Sequence, residues 1–192
     1  MPLDVPVLLG ETGALLTGHF RLSSGLHSPS YVQCARLLEL PRNAKAIGEA
    51  LAGRIAARSA HHIVAPALGG VVIGYTVAEA LGIPMVFTER KDGDMMLRRG
   101  FRLEPGEPVV IVEDVVTTGK STRETAAVVQ SFGARVVGYA SILNRSGVAN
   151  PFDRPYDALL ALSLQTYREE ECPLCVSGIP LDAPGSRHSA KS

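Results

Sequence analysis

Residues 109–122 read Val-Val-Ile-Val-Glu-Asp-Val-Val-Thr-Thr-Gly-Lys-Ser-Thr, four apolar residues followed by two adjacent acids and a turn rich in Gly, Thr and Ser. Residues 109–112 are β-branched throughout, as expected for a parallel strand buried on both faces, and the carboxyl end of such a strand is where open α/β sheets place ligands. Residues 117–122 offer small side chains, hydroxyls and backbone N–H groups that can surround a phosphate where a helix, expected to run from about Gly119 to Phe132, begins. Glu113 and Asp114 stand about one turn from that phosphate. Carboxylates repel it, so they must face something else, and ribose hydroxyls or a metal ion bridging to them fit best. An acidic pair after a strand is often only a solvated turn, but its coupling to a phosphate loop favours a functional role. Gly119-Lys120-Ser121 is not a nucleoside-triphosphate P-loop, because Asp114 occupies the position where that motif requires its first Gly.

Composition narrows the partners. Nineteen basic residues balance nineteen acidic ones, so no global field attracts nucleic acid or a membrane surface, and any anion site is local. No apolar run approaches membrane-spanning length and the first twenty residues lack a signal-peptide pattern, so a cytoplasmic protein acting on a small molecule is expected. The length of 192 residues suits one domain with a sizeable core. Three cysteines do not make a disulfide framework. Cys172 and Cys175 form a C-x-x-C pair that would need two more ligands to hold zinc, and Cys34, His61 and His62 are the only loose candidates. The pair therefore reads as ordinary thiols in a C-terminal extension.

The elements that must position the acids alternate. Apolar spacing predicts a helix over 42–58, a strand at 63–65, a glycine turn at 66–70, a helix to about Leu81, and strands at 84–88, 109–112, 136–143 and 156–162. Strands alternating with helices imply an α/β fold, a parallel sheet with helices on both faces. Two regions break the alternation. Residues 1–41 form an extension with turn signals, and residues 89–107 form a long polar connection made basic by Arg90, Lys91, Arg98, Arg99 and Arg102. That connection reads as a solvated hairpin or as a functional lid, and the lid is favoured. Residues 183–192 are small and polar, and disorder is expected there. Asn144-Arg145 follows the fourth strand on the same rim as Glu113. An Arg there can grip a carboxylate through two parallel hydrogen bonds, which suits a base carrying an acid group.

The 109–122 stretch resembles the signature of the type I phosphoribosyltransferases, which displace pyrophosphate from 5-phosphoribosyl 1-pyrophosphate (PRPP) with a nitrogen base. Residues 18–31, Gly-His-Phe-Arg-Leu-Ser-Ser-Gly-Leu-His-Ser-Pro-Ser-Tyr, resemble the N-terminal hood motif of the orotate phosphoribosyltransferases. With the 66–70 loop, the resemblance spans nearly the whole chain up to Cys175. It implies conversion of orotate and PRPP to orotidine 5′-monophosphate and pyrophosphate in UMP synthesis, with Mg²⁺ carried by PRPP and not held directly by the protein. A five-stranded parallel sheet with a small hood of N- and C-terminal segments, and a homodimer sharing a mobile loop, are also implied. The implied layout is one domain over 1–182, with the hood in 1–41, the core in about 42–165 and an extension in 166–182.

Carried over by position, Ala67, Leu68, Gly69 and Gly70 belong to the pyrophosphate loop. Glu113 and Asp114 face the ribose, and Val115, Val116, Thr117, Thr118, Gly119, Lys120 and Ser121 hold the 5′-phosphate side of PRPP. Arg145, with Thr117 and Ser23, falls on orotate. Arg90 and Lys91 match the basic pair opening the mobile loop, and Lys91 with Arg98 or Arg99 is expected to act on the leaving group. The chain departs from the family pattern where Ser23 replaces a hood Lys, where Gly69 replaces a pyrophosphate-loop Lys, and where the mobile loop lacks its further Lys and His. No nucleophile or His dyad is required, and His19 and His27 read as turn residues. A purine phosphoribosyltransferase would share 109–122 but not Arg145 and the hood motif. A PRPP-sensing regulator would need a basic face or an appended DNA-binding motif, which the neutral charge and the N-terminus do not provide.

Overall fold

The computed structural model describes residues 3–22 and 24–184. The N-terminal extension, expected only as turns, folds into α1 (Val5–Glu11), a hairpin of β1 (Leu15–Arg21) and β2 (His27–Val32), and the short α2 (Cys34–Leu38). Asp4 caps α1 by accepting a hydrogen bond from the Val7 N–H at 3.0 Å, with Pro6 in the first turn. There follow α3 (Pro41–Ile55), β3 (His62–Pro66), α4 (Gly69–Leu81), β4 (Met85–Lys91), β5 (Asp94–Leu97), β6 (Pro108–Val116), α5 (Lys120–Ser131), β7 (Arg135–Asn144), β8 (Tyr156–Ala161) and α6 (Pro173–Val176).

The main sheet has the order β5-β4-β3-β6-β7-β8. Its five expected strands are parallel, and β5 adds an antiparallel edge against β4. The apolar run at the sheet's centre is explained by its two-residue period. Val110 and Val112 pack with α3 and α4 residues such as Ile47, Leu51, Ile73 and Val77, while Val109 and Ile111 join Ala126 and Val129 of α5 on the other face. A strand covered on both sides has no polar alternation to show.

Two expectations are corrected. β6 does not end at Val112 but runs through both acids to Val116, because its pairing with β7 continues to Val116 opposite Asn144. The 89–107 segment is not a loop throughout: β4 extends to Lys91 and returns as β5, with Asp92 and Gly93 at positive φ in the turn. The return strand was hidden by its length, four residues with only Met95 and Leu97 half-buried, set among the polar residues of the turn and of 98–107. Residues 185–192 of the expected disordered tail lie outside the described residues.

The β1–β2 hairpin stands apart from the main sheet and is tied to the C-terminal segment. The Arg21 N–H donates to the Asp182 carbonyl and the Asp182 N–H to the His19 carbonyl, both at 2.8 Å, while His27 and Tyr167 exchange two backbone bonds at 2.9 Å. His19 lies inside β1 and His27 opens β2, both buried, so the expectation that they are turn residues is also corrected.

The α3–α4 contact carries a stability prediction. A Cβ on Gly48 would lie 2.6 Å from the Thr76 side chain and 2.8 Å from its backbone carbon. Ala has about 1 kcal/mol better helix propensity than Gly, but overpacking against backbone that cannot rotate away costs about 1–3 kcal/mol. Gly48→Ala should therefore lower the melting temperature. Gly53→Ala, on the exposed side of the same helix with nothing within 4 Å, should raise it. Thermal denaturation of both variants checks the pair of signs, and a Gly48→Ala protein as stable as Gly53→Ala would refute the close helix contact.

Candidate active site

The carboxyl ends of β3, β6 and β7 open into one cleft of ≈ 1490 Å³, closed above by Arg21, Leu22, Ser24, Leu26 and Tyr31 of the hairpin region. Of the expected site residues, Ala67, Leu68, Gly69, Glu113, Asp114, Val115, Thr117, Thr118, Ser121 and Arg145 all line it. Residues more than thirty positions apart in sequence thus meet because their strands are neighbours in the sheet.

Glu113 is 8 % exposed and Asp114 half-buried. Burial holds the Glu113 carboxyl well above the usual carboxylate range, and the neighbouring Asp114 adds to the rise. Burial also raises Asp114, against the opposing effect of hydrogen bonds that include the Val115 N–H, which donates to Asp114 Oδ1 at 2.7 Å. Among the described residues neither acid makes an ion pair with a protein cation. The pair is a desolvated negative site that needs a positive partner from outside the chain.

Arg145 has the opposite need. Its backbone N–H donates to the Val116 carbonyl at 2.7 Å, which fixes it at the rim, and its buried Nε has no hydrogen-bond partner. Desolvation lowers its pKa, opposed by Tyr31 and Cys34. A guanidinium in this state suits a planar anion able to take two parallel hydrogen bonds.

The loops explain some departures from the family pattern. A Cβ on Gly69 would fall 2.7 Å from Asp114 Oδ2, so any side chain at the start of α4 would displace the acid from its bond to Val115. The missing Lys at this position is therefore coupled to the placement of Asp114. Gly70 and Val116 are buried behind the cleft, and Gly119, at φ +70°, has Phe152 3.0 Å from where a Cβ would stand. They shape the loops without lining the cavity. Lys120 is exposed and lies 3.8 Å from Glu124.

The basic residues of the hairpin do not line this cleft. Arg90 donates to the Gly93 carbonyl at 2.8 Å and pairs with Glu124. Arg98 and Arg99 both reach Glu89, at 3.2 and 3.0 Å, and Arg99 lies over the Phe87 ring. Lys91 is exposed near the hairpin tip. Ser23 lies outside the described residues, between the cleft-lining Leu22 and Ser24. Sequence reasoning assigned no role to Tyr31, although it ends the hood motif and lines the cleft. Nor did it give one to Asn144, whose amide donates to the Val148 carbonyl at 2.8 Å and whose Oδ1 accepts from the Ser146 N–H at 3.0 Å, folding residues 146–149 into the cleft wall.

A parallel sheet with an acid pair and a Thr/Ser loop at the carboxyl end of one strand defines a phosphoribosyltransferase, and residues 33–159 match the phosphoribosyl transferase domain family. An orotate phosphoribosyltransferase of Thermotoga maritima is 49% identical over 180 residues, covering 94% of this chain and 96% of that one. Another from Carboxydothermus hydrogenoformans is 47% identical over 187 residues, covering 96% and 98%. The chain belongs to the orotate phosphoribosyltransferase family. Among solved structures, an orotate phosphoribosyltransferase from Aeropyrum pernix aligns with TM-score 0.65 at 24% identity, over 81% of this chain and 95% of that one. An adenine phosphoribosyltransferase from Thermoanaerobacter pseudethanolicus aligns with TM-score 0.61 at 19% identity, over 69% and 88%. The fold alone is therefore shared by enzymes named for different bases.

The raised acids yield a pH prediction. Both bind a proton more tightly folded than unfolded, so the native state carries more protons between the unfolded carboxyl values of about 4 and the raised folded ones, and stability falls as pH rises through that window. The double variant Glu113→Gln/Asp114→Asn should lose this fall and melt at or above the wild-type temperature at neutral pH. Its kcat should drop by several powers of ten, as when a transition-state contact is lost. Melting curves across pH with parallel turnover assays decide it, and an amide variant that melts lower, or turns over normally, contradicts the assignment.

Proposed function

We propose that this cleft transfers ribose 5-phosphate from PRPP to orotate, releasing pyrophosphate. The observation that carries the reading is the coexistence, in one cleft, of an acid pair with no ion pair among the described residues, Glu113 buried and Asp114 half-buried, and of a half-buried Arg145 whose buried Nε has no partner among them. Departure of pyrophosphate leaves positive charge on the ribose, and Glu113 and Asp114 favour that charge more than the neutral ground state. Their carboxylate oxygens also fit the shell of a hard divalent cation, and Mg²⁺ bound to PRPP would neutralise the pyrophosphate. Thr117, Thr118 and Ser121 hold the 5′-phosphate by hydroxyl and backbone donors, while residues 67–69 face the pyrophosphate. Arg145 holds the orotate carboxylate and so presents the ring nitrogen, already acidic, to the anomeric carbon. A purine has no carboxylate to meet Arg145. Pyrophosphate release with PRPP and orotate, but not with adenine, guanine, hypoxanthine or uracil, tests the whole reading.

Two predictions sharpen it. Arg145→Ala should weaken orotate far more than PRPP, by about 2–5 kcal/mol for a desolvated charge pair. Equal losses for both substrates, measured by separate KM titrations, would remove Arg145 from the base site.

The cations of the β4–β5 hairpin lie off their own cleft, which supports a role for Lys91, with Arg98 or Arg99, in the site of a second subunit of a homodimer. Mixing inactive Lys91→Ala with inactive Asp114→Asn chains then gives heterodimers with one intact site, and activity should reappear. Heterodimers that form and stay inactive would place Lys91 in its own subunit's site.

A further inference from the structure

Outside the lining of the cleft, the hood gathers four metal-ligating side chains that the reaction does not use. His19 of β1, His27 of β2, and Cys172 and Cys175 flanking the start of α6 bring one ligand atom each to within 4.8 Å of one another. His19 Nε2 lies 3.0 Å from His27 Nδ1, 3.6 Å from Cys172 Sγ and 3.7 Å from Cys175 Sγ, and Cys175 Sγ lies 3.2 Å from His27 Nδ1. A tetrahedral zinc ion with Zn–N of about 2.05 Å and Zn–S of about 2.3 Å separates its ligand atoms by about 3.4 Å (N–N), about 3.6 Å (N–S) and about 3.8 Å (S–S). The four closest spacings, one N–N at 3.0 Å and three N–S between 3.2 and 3.7 Å, come within about 0.4 Å of these values, and the two remaining pairs lie within 4.8 Å.

Protonation favours the same reading. The Ile179 carbonyl can only accept, so the 2.7 Å contact makes His19 Nδ1 the donor and leaves Nε2 a lone pair directed at the other three groups. A backbone acceptor behind a histidine is the usual device for fixing the tautomer that ligates a metal. The lone pair of Nε2 can accept only one proton from its three neighbours. A single cation satisfies all four ligand atoms. His19, His27 and Cys172 are buried, while Cys175 lies at the rim and gives an entry path. Cys172 and Cys175 are fixed relative to each other by one tight turn, in which the Val176 N–H donates to the Cys172 carbonyl at 3.2 Å and the Gly178 N–H to the Cys175 carbonyl at 3.0 Å.

We infer that His19 Nε2, His27 Nδ1, Cys172 Sγ and Cys175 Sγ form a structural zinc site that fastens the C-terminal segment to the hood hairpin. Four protein ligands leave no open position for substrate, and thiolates select zinc over the hard Mg²⁺ of the proposed reaction. Cys34 and His62, the other residues considered for such a site, are elsewhere: Cys34 is in the core, and His62 pairs with Glu107 at 2.5 Å. The site holds the segment between Tyr167 and Asp182 against β1 and β2, and the hairpin's Arg21 and Leu22 line the cleft.

The full chain, purified in reducing buffer, should contain one zinc per chain by mass spectrometry. Co²⁺ added after chelation should give the visible bands of a tetrahedral ion with a thiolate charge-transfer band. Cys175→Ser, chosen because Cys175 is at the rim and the variant's fold can be verified by circular dichroism, should weaken Zn²⁺ by more than about 100-fold, beyond the 10–100-fold typical of losing an outer-shell partner. Zn²⁺ should raise the melting temperature of the wild type and leave that of Cys175→Ser unmoved. Zinc bound equally by Cys175→Ser, a cobalt spectrum without thiolate character, or a Cys172–Cys175 disulfide in the reduced protein would each overturn the assignment.

Discussion

Two carboxyls set side by side near the end of a central strand, Glu113 buried and Asp114 half-buried, with no cation among the described residues paired to them, set the terms for the rest of this molecule. Placing Glu113 and Asp114 there is unfavourable by itself, since burial opposes their ionisation. The surrounding elements are fitted to the pair. β6 is locked between β3 and β7 and carries the acids in its own hydrogen-bonded ladder. α4 begins with a glycine whose missing side chain is the space that Asp114 occupies. The two packed layers beneath make the strand rigid enough to hold the acids where solvent would otherwise draw them out.

That constraint separates what was legible in the sequence from what was not. The five parallel strands, α3, α4 and α5 were readable because each is long, apolar and periodic, and the 109–122 pattern located the acids and the phosphate loop together. The rim residues Glu113, Thr117 and Arg145 could be grouped because a parallel sheet brings the ends of successive strands to one edge. Legibility failed where structure rests on contacts distant in the chain. β1 and β2 complete their pairing with Tyr167 and Asp182, over 130 residues away, so local patterning showed only their turns. The same long-range closure brings His19 and His27 to Cys172 and Cys175, and no spacing rule within a single segment reports it. β5 escaped because four residues, of which only Met95 and Leu97 face inward, are too few to show a periodic stripe.

The hood and the sheet divide the labour differently from a two-layer domain of equal parts. The sheet supplies the charged and hydroxyl groups of the cleft on rigid strand ends. The hood supplies the cover, with Leu22, Leu26 and Tyr31 over the cleft, and small hairpins of this kind are marginal without support. Support here comes from backbone bridges to the C-terminal segment and from the His/Cys cluster, and the residues near those bridges, Thr166 and Pro184, continue the wall of the cleft.

The placement of the cations follows from the same electrostatics. A Lys or Arg fixed beside Glu113 and Asp114 would neutralise them permanently and cancel their preference for a ribose carrying positive charge. In this chain the basic residues of the β4–β5 hairpin are instead held outside the cleft, Arg98 and Arg99 on Glu89 and Arg90 on Glu124, with Arg98 and Arg99 more than one-third exposed. Exposed pairs of this type contribute about 0–1 kcal/mol, so under the proposed function they would be readily exchanged for a pyrophosphate, whose several charges a guanidinium binds more strongly. In the proposed reaction, cations on weak surface pairs and acids without an ion pair among the described residues would keep both signs of charge available as the bond between the ribose and pyrophosphate breaks.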